Sequence, residues 1–586
     1  MDQSPLRMER LSMKRRDFDF LFAVILFASV WGCTSPILRP QSPEASLEPE
    51  EGSLSETRYA SKYTQPHGLN YVQIEAVSLA TGLAGKGEDP PATPQRAVLL
   101  GEMARNEVER PNEILASLDT ALVLVRGYLR PGIKQGERFD VEITVPSRSE
   151  TVSLRGGWVL PARMTELAVL DNQIHQGHVL GMAEGPILVD PSAKEDEHGA
   201  LATRGRILGG GVATKSRPLG LIISREYKSI RLAQDLAKCI NDRFHYFRNG
   251  RKEGLAVPKT DEFVELQIDD RYKENVGRFM RVVRHVAINE TASERVTRLQ
   301  LLGRQLLDPL TSANAAMRLE AIGDTAAIDV LKTGVASTNP EVRFYSAEAL
   351  AYLDDTAAVK PLADAARNEP AFRVNALAAL SAMDDVVAYD ELRSLLEVSS
   401  AETRYGAFRS LWSMNPNDPL VRGEQMGGQF SYHVLDVAGD PMVHATRSFR
   451  PEIVLFGADQ HFKLPLVLDA GKNILINGMS GEQVTISRFA PGEPPEKRVV
   501  STSVDEVVRT IVELGGAYPD VVQALQQAKN DGALSARFRI DALPDVGRQY
   551  DRSSHSATDE ESTESESTGG NYRVGTPMPD LFSGKK

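Results

Sequence analysis

"VRFYSAEALAYLDDTAAVKPL", residues 342–362, is followed by two imperfect copies of itself, "FRVNALAALSAMDDVVAYDEL" at 372–392 and "TRYGAFRSLWSMNPNDPL" at 403–420. Arg343, Arg373 and Arg404 align, with Leu350, Leu380 and Leu411 seven residues later and Leu353, Met383 and Met414 ten later. Apolar residues at helical spacing, an Asp-containing turn and a second apolar run make each copy a helix pair. Asp324, Asp355 and Asp385 stand where a side chain can cap the second helix. A weaker copy comes first, with Leu319, Ile322 and "GDTAAIDVL" (323–331). One such pair cannot bury its apolar face alone, whereas stacked copies can. Residues 300–421 therefore predict a short α-solenoid. The aligned arginines are either a binding stripe or ties between neighbouring copies, and ties are the simpler reading.

On either side of these repeats the pattern changes to strands. Residues 64–290 carry strand-like runs at Val72–Leu83, Ala121–Leu129, Phe139–Val145, Thr151–Val159, Ile187–Asp190, Arg206–Val212, Leu219–Ser224 and Phe263–Ile268. Helices are expected over 229–244, where Leu232, Leu236, Cys239 and Ile240 share a face, and from Tyr272 to His285. Residues 429–543 return to strands in "IVLFG", "KLPLVLD", "NILING" and "QVTISRF". Two helices follow. Ser503 and Glu506 have capping-box spacing, Gly515-Gly516 break the first helix, Pro519 suits the first turn of the second, and Leu534–Ile540 is a last strand. The expected fold class is α+β: a β-rich body in two sequence segments, interrupted by a short α-solenoid.

The totals narrow the function. At 586 residues several domains are expected, and a net charge of −13 leaves no excess of cations to neutralise phosphates, which argues against nucleic-acid binding. Two cysteines, Cys33 and Cys239, make neither a disulfide framework nor a zinc site. "MKRRDFDFLFAVILFASVWGC" (13–33) has a basic start, an apolar run too short to span a bilayer, and then Gly32-Cys33. It resembles a bacterial lipoprotein signal, with Val30 and Gly32 placed before a lipidated Cys33. The expected membrane contact is thus a lipid anchor alone, and Thr34 after the cysteine gives no inner-membrane retention signal. Residues 34–63 are rich in Pro, Ser and Glu and read as a disordered tether, and 544–586 as a disordered acidic tail.

Sites for chemistry are scarce. "TGLAGKG" (81–87) has only two residues between Gly82 and Gly85 and lacks the Ser or Thr of a phosphate loop. His175 and His178 of "HQGH" have no third ligand at a useful spacing and read as surface histidines in a loop-like stretch. "LGGG" (208–211) reads as a turn or bulge without the helix that dinucleotide binding requires. No nucleophile–base pair stands out, so no catalytic, metal or cofactor site is expected.

Several separated strings resemble one family. "VSLATGLAGKGED" (77–89), "ALVLVRGYLRPGIKQGERFDVEITVPSRSETVSLRGGWVLPARM" (121–164), "RLAQDLAKCINDRF" (231–244), "NVGRFMRVVRHVAI" (275–288) and "ELGGAYPDVVQALQQAKNDGALSARFRI" (513–540) are similar, in order, to segments of the bacterial flagellar P-ring proteins. Within the second string, Arg155, Gly156 and Gly157 belong to the family's Ser-Leu-Arg-Gly-Gly motif. The repeats resemble HEAT repeats, including "AAVKPL" (357–362), and stand after "NETASERV" (289–296) like an insertion into a P-ring-like protein. The resemblance implies a structural subunit rather than an enzyme, self-associating into a ring. Its implied place is the periplasm, around the flagellar rod and near peptidoglycan, among other basal-body proteins. The solenoid would then dock a protein partner not identified by the sequence. The alternative is a lipid-anchored envelope scaffold that reuses the fold outside a flagellum. If Cys33 is the lipid attachment point, growth with an alkyne fatty acid labels the chain and Cys33→Ser abolishes the label. An equally labelled variant contradicts lipidation.

Overall fold

Strand β1 (Thr64–His67) opens a run of antiparallel strands that explains the apolar alternation of the first region: β2 (Val72–Thr81), β3 (Ala121–Leu129), β4 (Arg138–Thr144), β5 (Trp158–Leu170), β6 (Gln173–Pro186), β7 (Leu188–Val189), β8 (Arg204–Ala213) and β9 (Leu219–Ile223). The computed structural model describes residues 57–170, 173–190, 201–448, 450–490, 492, 494–552 and 571–581. The expected signal, Cys33 and most of the tether lie outside them. Residues 57–63 of that tether are packed: Tyr59 is buried, and Ala60 N donates to Val286 O while Ile288 N donates to Arg58 O. The tether expectation is corrected there, because Tyr59 packs edge-on against the His285 ring and bridges to Ala287.

Strands pair in the order β4–β3–β2–β5–β6–β8, and β4 pairs back onto β8. This closes a six-stranded antiparallel barrel among the described residues, with β7 added beside β8. In β4 the inward residues Phe139, Val141 and Ile143 alternate with half-exposed ones. Beyond the pairings with β2 and β8, the β5–β6 hairpin continues as a two-stranded arm, from Leu167↔Gln176 to Leu170↔Gln173. Thr151–Gly157 is not the expected strand. Its backbone closes one end of the barrel instead, Val152 N donating to Lys86 O and Leu154 N to Ala202 O.

The "LGGG" stretch lies in β8, and its role is steric. Register jumps from Phe139↔Gly211 to Val141↔Ile207, so Leu208–Gly210 form a bulge with Gly209 at φ +59°. The Phe139 ring fills the space left by three glycines. A Cβ on Gly127, Gly181 or Gly211 would lie 2.6, 2.9 or 2.4 Å from it.

Helix α1 (Pro94–Arg105) and the short α2 (Pro111–Leu115) cover part of the barrel wall. Helix α3 (Ile230–Arg243) packs on a second sheet, β1–β9–β13–β12, which adds β12 (Ala256–Pro258) and β13 (Phe263–Leu266) after the hairpin β10 (His245–Arg248) and β11 (Arg251–Gly254). Helix α4 (Val276–Arg284) follows a 3₁₀ turn, Asp270–Tyr272.

The solenoid consists of α5 (Ala292–Leu306), α6 (Ser312–Ile322), α7 (Thr325–Val335), α8 (Pro340–Tyr352), α9 (Val359–Asn368), α10 (Arg373–Ser381), α11 (Val386–Ser394) and α12 (Ala401–Met414). Asp324 and Asp385 cap α7 and α11, and Asp355 caps the 3₁₀ turn before α9. Every residue of α10, and nearly every one of α8 and α12, is buried. These helices are therefore covered on both sides, which an isolated repeat array would not require.

The C-terminal region forms two sheets. One is β14 (Glu424–Met426), β15 (Phe430–Leu435), β17 (Glu452–Phe456), β16 (Met442–Ala445) and β22 (Arg537–Ile540) in that spatial order. The other runs β18 (Leu466–Ala470), β19 (Ile474–Gly478), β20 (Gln483–Arg488), β21 (Glu496–Ser501). Helices α13 (Val504–Glu513) and α14 (Tyr518–Asn530) share their core. The expected capping box is displaced: Ser503 makes no cap bond, and Glu506 accepts from Ser501 N and Oγ. A last pair, β23 (Gln549–Asp551) and β24 (Asn571–Arg573), lies in the stretch expected to be disordered. Tyr550 anchors it by stacking on Phe372, centroids 4.8 Å apart. The tail expectation is corrected for residues 544–552 and 571–581; 553–570 lie outside the described residues.

Overpacking the glycine-lined space gives the first structural test. Gly211→Val should lower stability by about 1–3 kcal/mol in denaturant unfolding. Adding Phe139→Leu should recover part of that loss, whereas full additivity of the two would contradict the steric account.

Candidate functional site: the joints that hold the solenoid

Arg278 on α4 has no exposed side-chain surface, and neither have its two partners. Its Nη2 lies 2.6 Å from Glu320 Oε2 of α6, and its Nη1 lies 2.7 Å from Glu348 Oε2 of α8. Tyr272 donates from its hydroxyl to Glu320 Oε1 at 2.7 Å. The Tyr352 ring, 4.6 Å from the guanidinium carbon, stacks on Tyr272. Burial opposes charge on Arg278, but the two carboxylates hold its guanidinium above the ordinary arginine value. Two acids against one base would be unstable in a dry core without these added donors.

The far end of the solenoid repeats the device with different residues. Glu452, at the start of β17, is buried beside Arg409 of α12, Nη1 to Oε2 3.2 Å, and accepts from the Tyr405 hydroxyl at 2.8 Å. Burial pushes the Glu452 carboxyl up, but Arg409 and Arg450 prevail and hold it below the usual carboxylate value. His444 stacks on Tyr405 at 3.7 Å and accepts from Ala542 N through Nε2 at 3.0 Å. That bond requires a neutral ring, and burial pushes its pKa down to about 3.

The residues singled out by sequence fall into two separate places. Arg343 donates to Ser337 O at 3.0 Å, Arg373 to Ala366 O at 2.9 Å and Arg404 to Leu396 O at 2.7 Å. In each copy the guanidinium thus satisfies carbonyls at the end of the preceding helix or turn. Arg373 also pairs with Glu402 of the next copy at 3.1 Å. Arg155, Gly156 and Gly157 lie at the barrel end that meets the C-terminal region. Arg155 donates to Asp190 O, whose carboxylate pairs with Arg447 at 2.7 Å, and Lys472 donates to Gly82 O beside Gly156. Gly156 has φ +73°, and a Cβ on Gly157 would meet Leu83 at 2.7 Å. The structure does not bring these three together with the arginines.

Catalytic geometry is not apparent in these places. A cavity of about 900 Å³ lies between α1 and the barrel wall and is floored by Val77, Leu79, Val98 and Met103. No histidine or cysteine lines it, and its Ser78 hydroxyl donates to Leu160 O. Among the described residues no group of three or more His, Cys, Asp or Glu could hold a metal ion, and no helix is long and apolar enough to cross a membrane. "HQGH" lies in β6 rather than a loop, with His178 exposed.

Comparison with known proteins divides the chain where the first joint is made. Residues 62–298 match the family described as flagellar P-ring protein, and residues 296–381 and 334–412 match HEAT repeats. The chain resembles the flagellar P-ring family. Curated relatives carry that same description: the protein of Pseudoalteromonas atlantica is 30% identical over 188 residues, covering 30% of this chain and 48% of the relative. That of Nitrosomonas europaea is 30% identical over 204 residues, 32% of this chain and 52% of the relative, and that of Thermotoga maritima is 23% identical over 233, 38% and 65%. The chain thus spans 48–65% of the length of these relatives. The C-terminal likeness read over 513–540 lies outside the matched family residues. Arg278 stands in the P-ring-like part, and Glu320 and Glu348 in the HEAT-like part. Sequence reading missed all three, although two glutamates on otherwise apolar helical faces were the available signal.

Leaving either carboxylate cluster without its base should be costly. Arg278→Met is expected to destabilise the chain by about 3–5 kcal/mol, and Arg278→Met with Glu320→Leu and Glu348→Met to recover most of it. Denaturant midpoints measure both, and a single variant within 1 kcal/mol of the parent, by order of magnitude, contradicts the joint. For His444 the folded pKa lies below the unfolded value of about 6.5, so the unfolded chain binds the extra proton between pH 6.5 and about 3. Stability should therefore fall as pH falls through that window. His444→Gln should flatten the slope, and an unchanged slope contradicts the assignment.

Proposed function

We propose that the chain is a structural subunit of a P-ring-type flagellar basal-body assembly, located in the periplasm around the rod and close to peptidoglycan. The observation that carries this is the family match over 62–298, which covers the closed barrel, the second sheet and α4. A ring requires repeated head-to-tail contacts and no active site. Barrel closure leaves few free edges on that body, so contacts between copies would use projections and open sheets. The β5–β6 arm and the exposed edge strand β21 are the natural candidates. Lipidation at Cys33 would hold the subunit at the outer membrane.

The solenoid would dock a second envelope component through its outer helices, because α8, α10 and α12 are covered. Exposed Val386 and Val387 on α11 mark that outer face. A scaffold role outside a flagellum is favoured by one observation, the limited share of each relative that is covered. Imaging purified basal bodies with an epitope on this chain separates the two readings. The P-ring reading expects label in a ring around the rod and loss of swimming when the gene is deleted. Normal basal bodies and normal swimming without the chain would overturn it.

A further inference from the structure

Residues 574–581 are held against the solenoid as a bound peptide is held. The segment crosses the cleft between α4 and the helices α8 and α10, and its main chain is read by side chains. Gly575 N donates to the Tyr345 hydroxyl at 3.0 Å, and Asn375 Nδ2 donates to Pro577 O at 3.2 Å and to Thr576 Oγ1 at 3.1 Å. Asn275 also donates to Pro577 O at 3.4 Å. At the far end the Asp580 carboxylate accepts from Val276 N, in the first turn of α4, at 2.9 Å. Thr576 and Leu581 are buried. Extended backbone, prolines at 577 and 579 and an acidic end are features of a short linear recognition motif.

The connection to this segment is much longer than its geometry needs. Asp551 and Asn571 are partners in the β23–β24 ladder, so a turn of about two to five residues would join them. Nineteen residues, 552–570, stand there instead, Arg552 followed by "SSHSATDEESTESESTGG", with no large apolar side chain to bury. A connection of that length can span up to roughly 60 Å when extended. Exchange of an element between identical copies keeps every native contact and creates an intersubunit link at little cost.

We propose that residues 571–581 are an exchangeable docking segment, and that in the assembled ring the solenoid cleft of each copy holds the segment of an adjacent copy. The partner is thus a second copy of this chain; the proposal rests on self-association, not on a flagellar location. It places a solenoid inserted into a ring-forming body in direct service of ring closure: each cleft receives one neighbour and each tail is given to another.

The geometry offers a direct test. A Cβ on Gly575 would lie 2.8 Å from Ala313 Cβ, close enough that a small shift brings two cysteines to disulfide spacing. In a full-length Cys33→Ser, Cys239→Ser background, Ala313→Cys and Gly575→Cys are placed on separate chains with different tags, co-expressed and mildly oxidised. The expected result is a mixed-tag dimer that disappears on reduction, reduced roughly fivefold by Asp580→Ala. A chain carrying both cysteines is the control for an occupied cleft. If that chain closes only within itself and the separate chains stay unlinked, the segment binds its own solenoid and exchange is overturned. If neither arrangement cross-links, the cleft is not the site of the segment, and the proposal also fails. A mixed dimer from cells whose basal bodies lack the chain would retain exchange while removing the P-ring reading.

Discussion

A guanidinium with no access to water needs acceptors for its donors and favours a counter-charge, and Arg278 meets two carboxylates in helices that belong to a different sequence module. An apolar cover over α4 would leave that charge unpaired, whereas the docked solenoid supplies its counter-charges. Further order follows from the same pairing. Glu348, fixed by Arg278, accepts from Asn375 and from Thr576, and Asn375 in turn holds Pro577. A chain of polar contacts thus runs from the P-ring-like part through the repeats to the C-terminal segment. One apolar core accompanies it, containing Phe279, Leu350, Leu380 and Leu581 together.

The Arg409–Glu452 joint does the same at the other end, so the solenoid is fixed to both segments that it separates in sequence. Those segments also meet directly, through Arg447–Asp190 and Lys472–Gly82. A repeat block hanging from flexible connections could present a partner anywhere. A block tied at both ends presents its outer helices in one direction.

Much of this was legible in the residues because it depends on local pattern. Helical spacing and capping aspartates located the helix pairs, and apolar alternation located β2, β3, β4, β8 and β9. Recurring strings in the right order pointed to the P-ring family, and the family match over 62–298 agrees. The parts that were not legible depend on residues distant in sequence. Closure of the barrel by β4 and β8 requires pairing between Arg138 and Val212, and nothing in either strand announces its partner. Thr151–Val159 has strand-like composition, yet only Trp158 and Val159 enter β5, and the backbone of Thr151–Gly157 finds partners at Lys86 and Ala202 and closes the barrel end. The tail looked too polar to fold because its few anchors, Tyr550, Thr576 and Leu581, gain their burial from surfaces made by other parts of the chain.

Hydrogen exchange on the purified full-length chain tests most directly whether the solenoid is an integral part of the P-ring-like body. Amides of α4, α6 and α8 are predicted to open together, with one protection level and one response to mild denaturant, because opening any of them exposes the same buried charges. Exchange of α6 and α8 at a lower opening energy, with α4 still protected, would contradict the account: the repeats would then be a separate module resting on the body rather than locked into it.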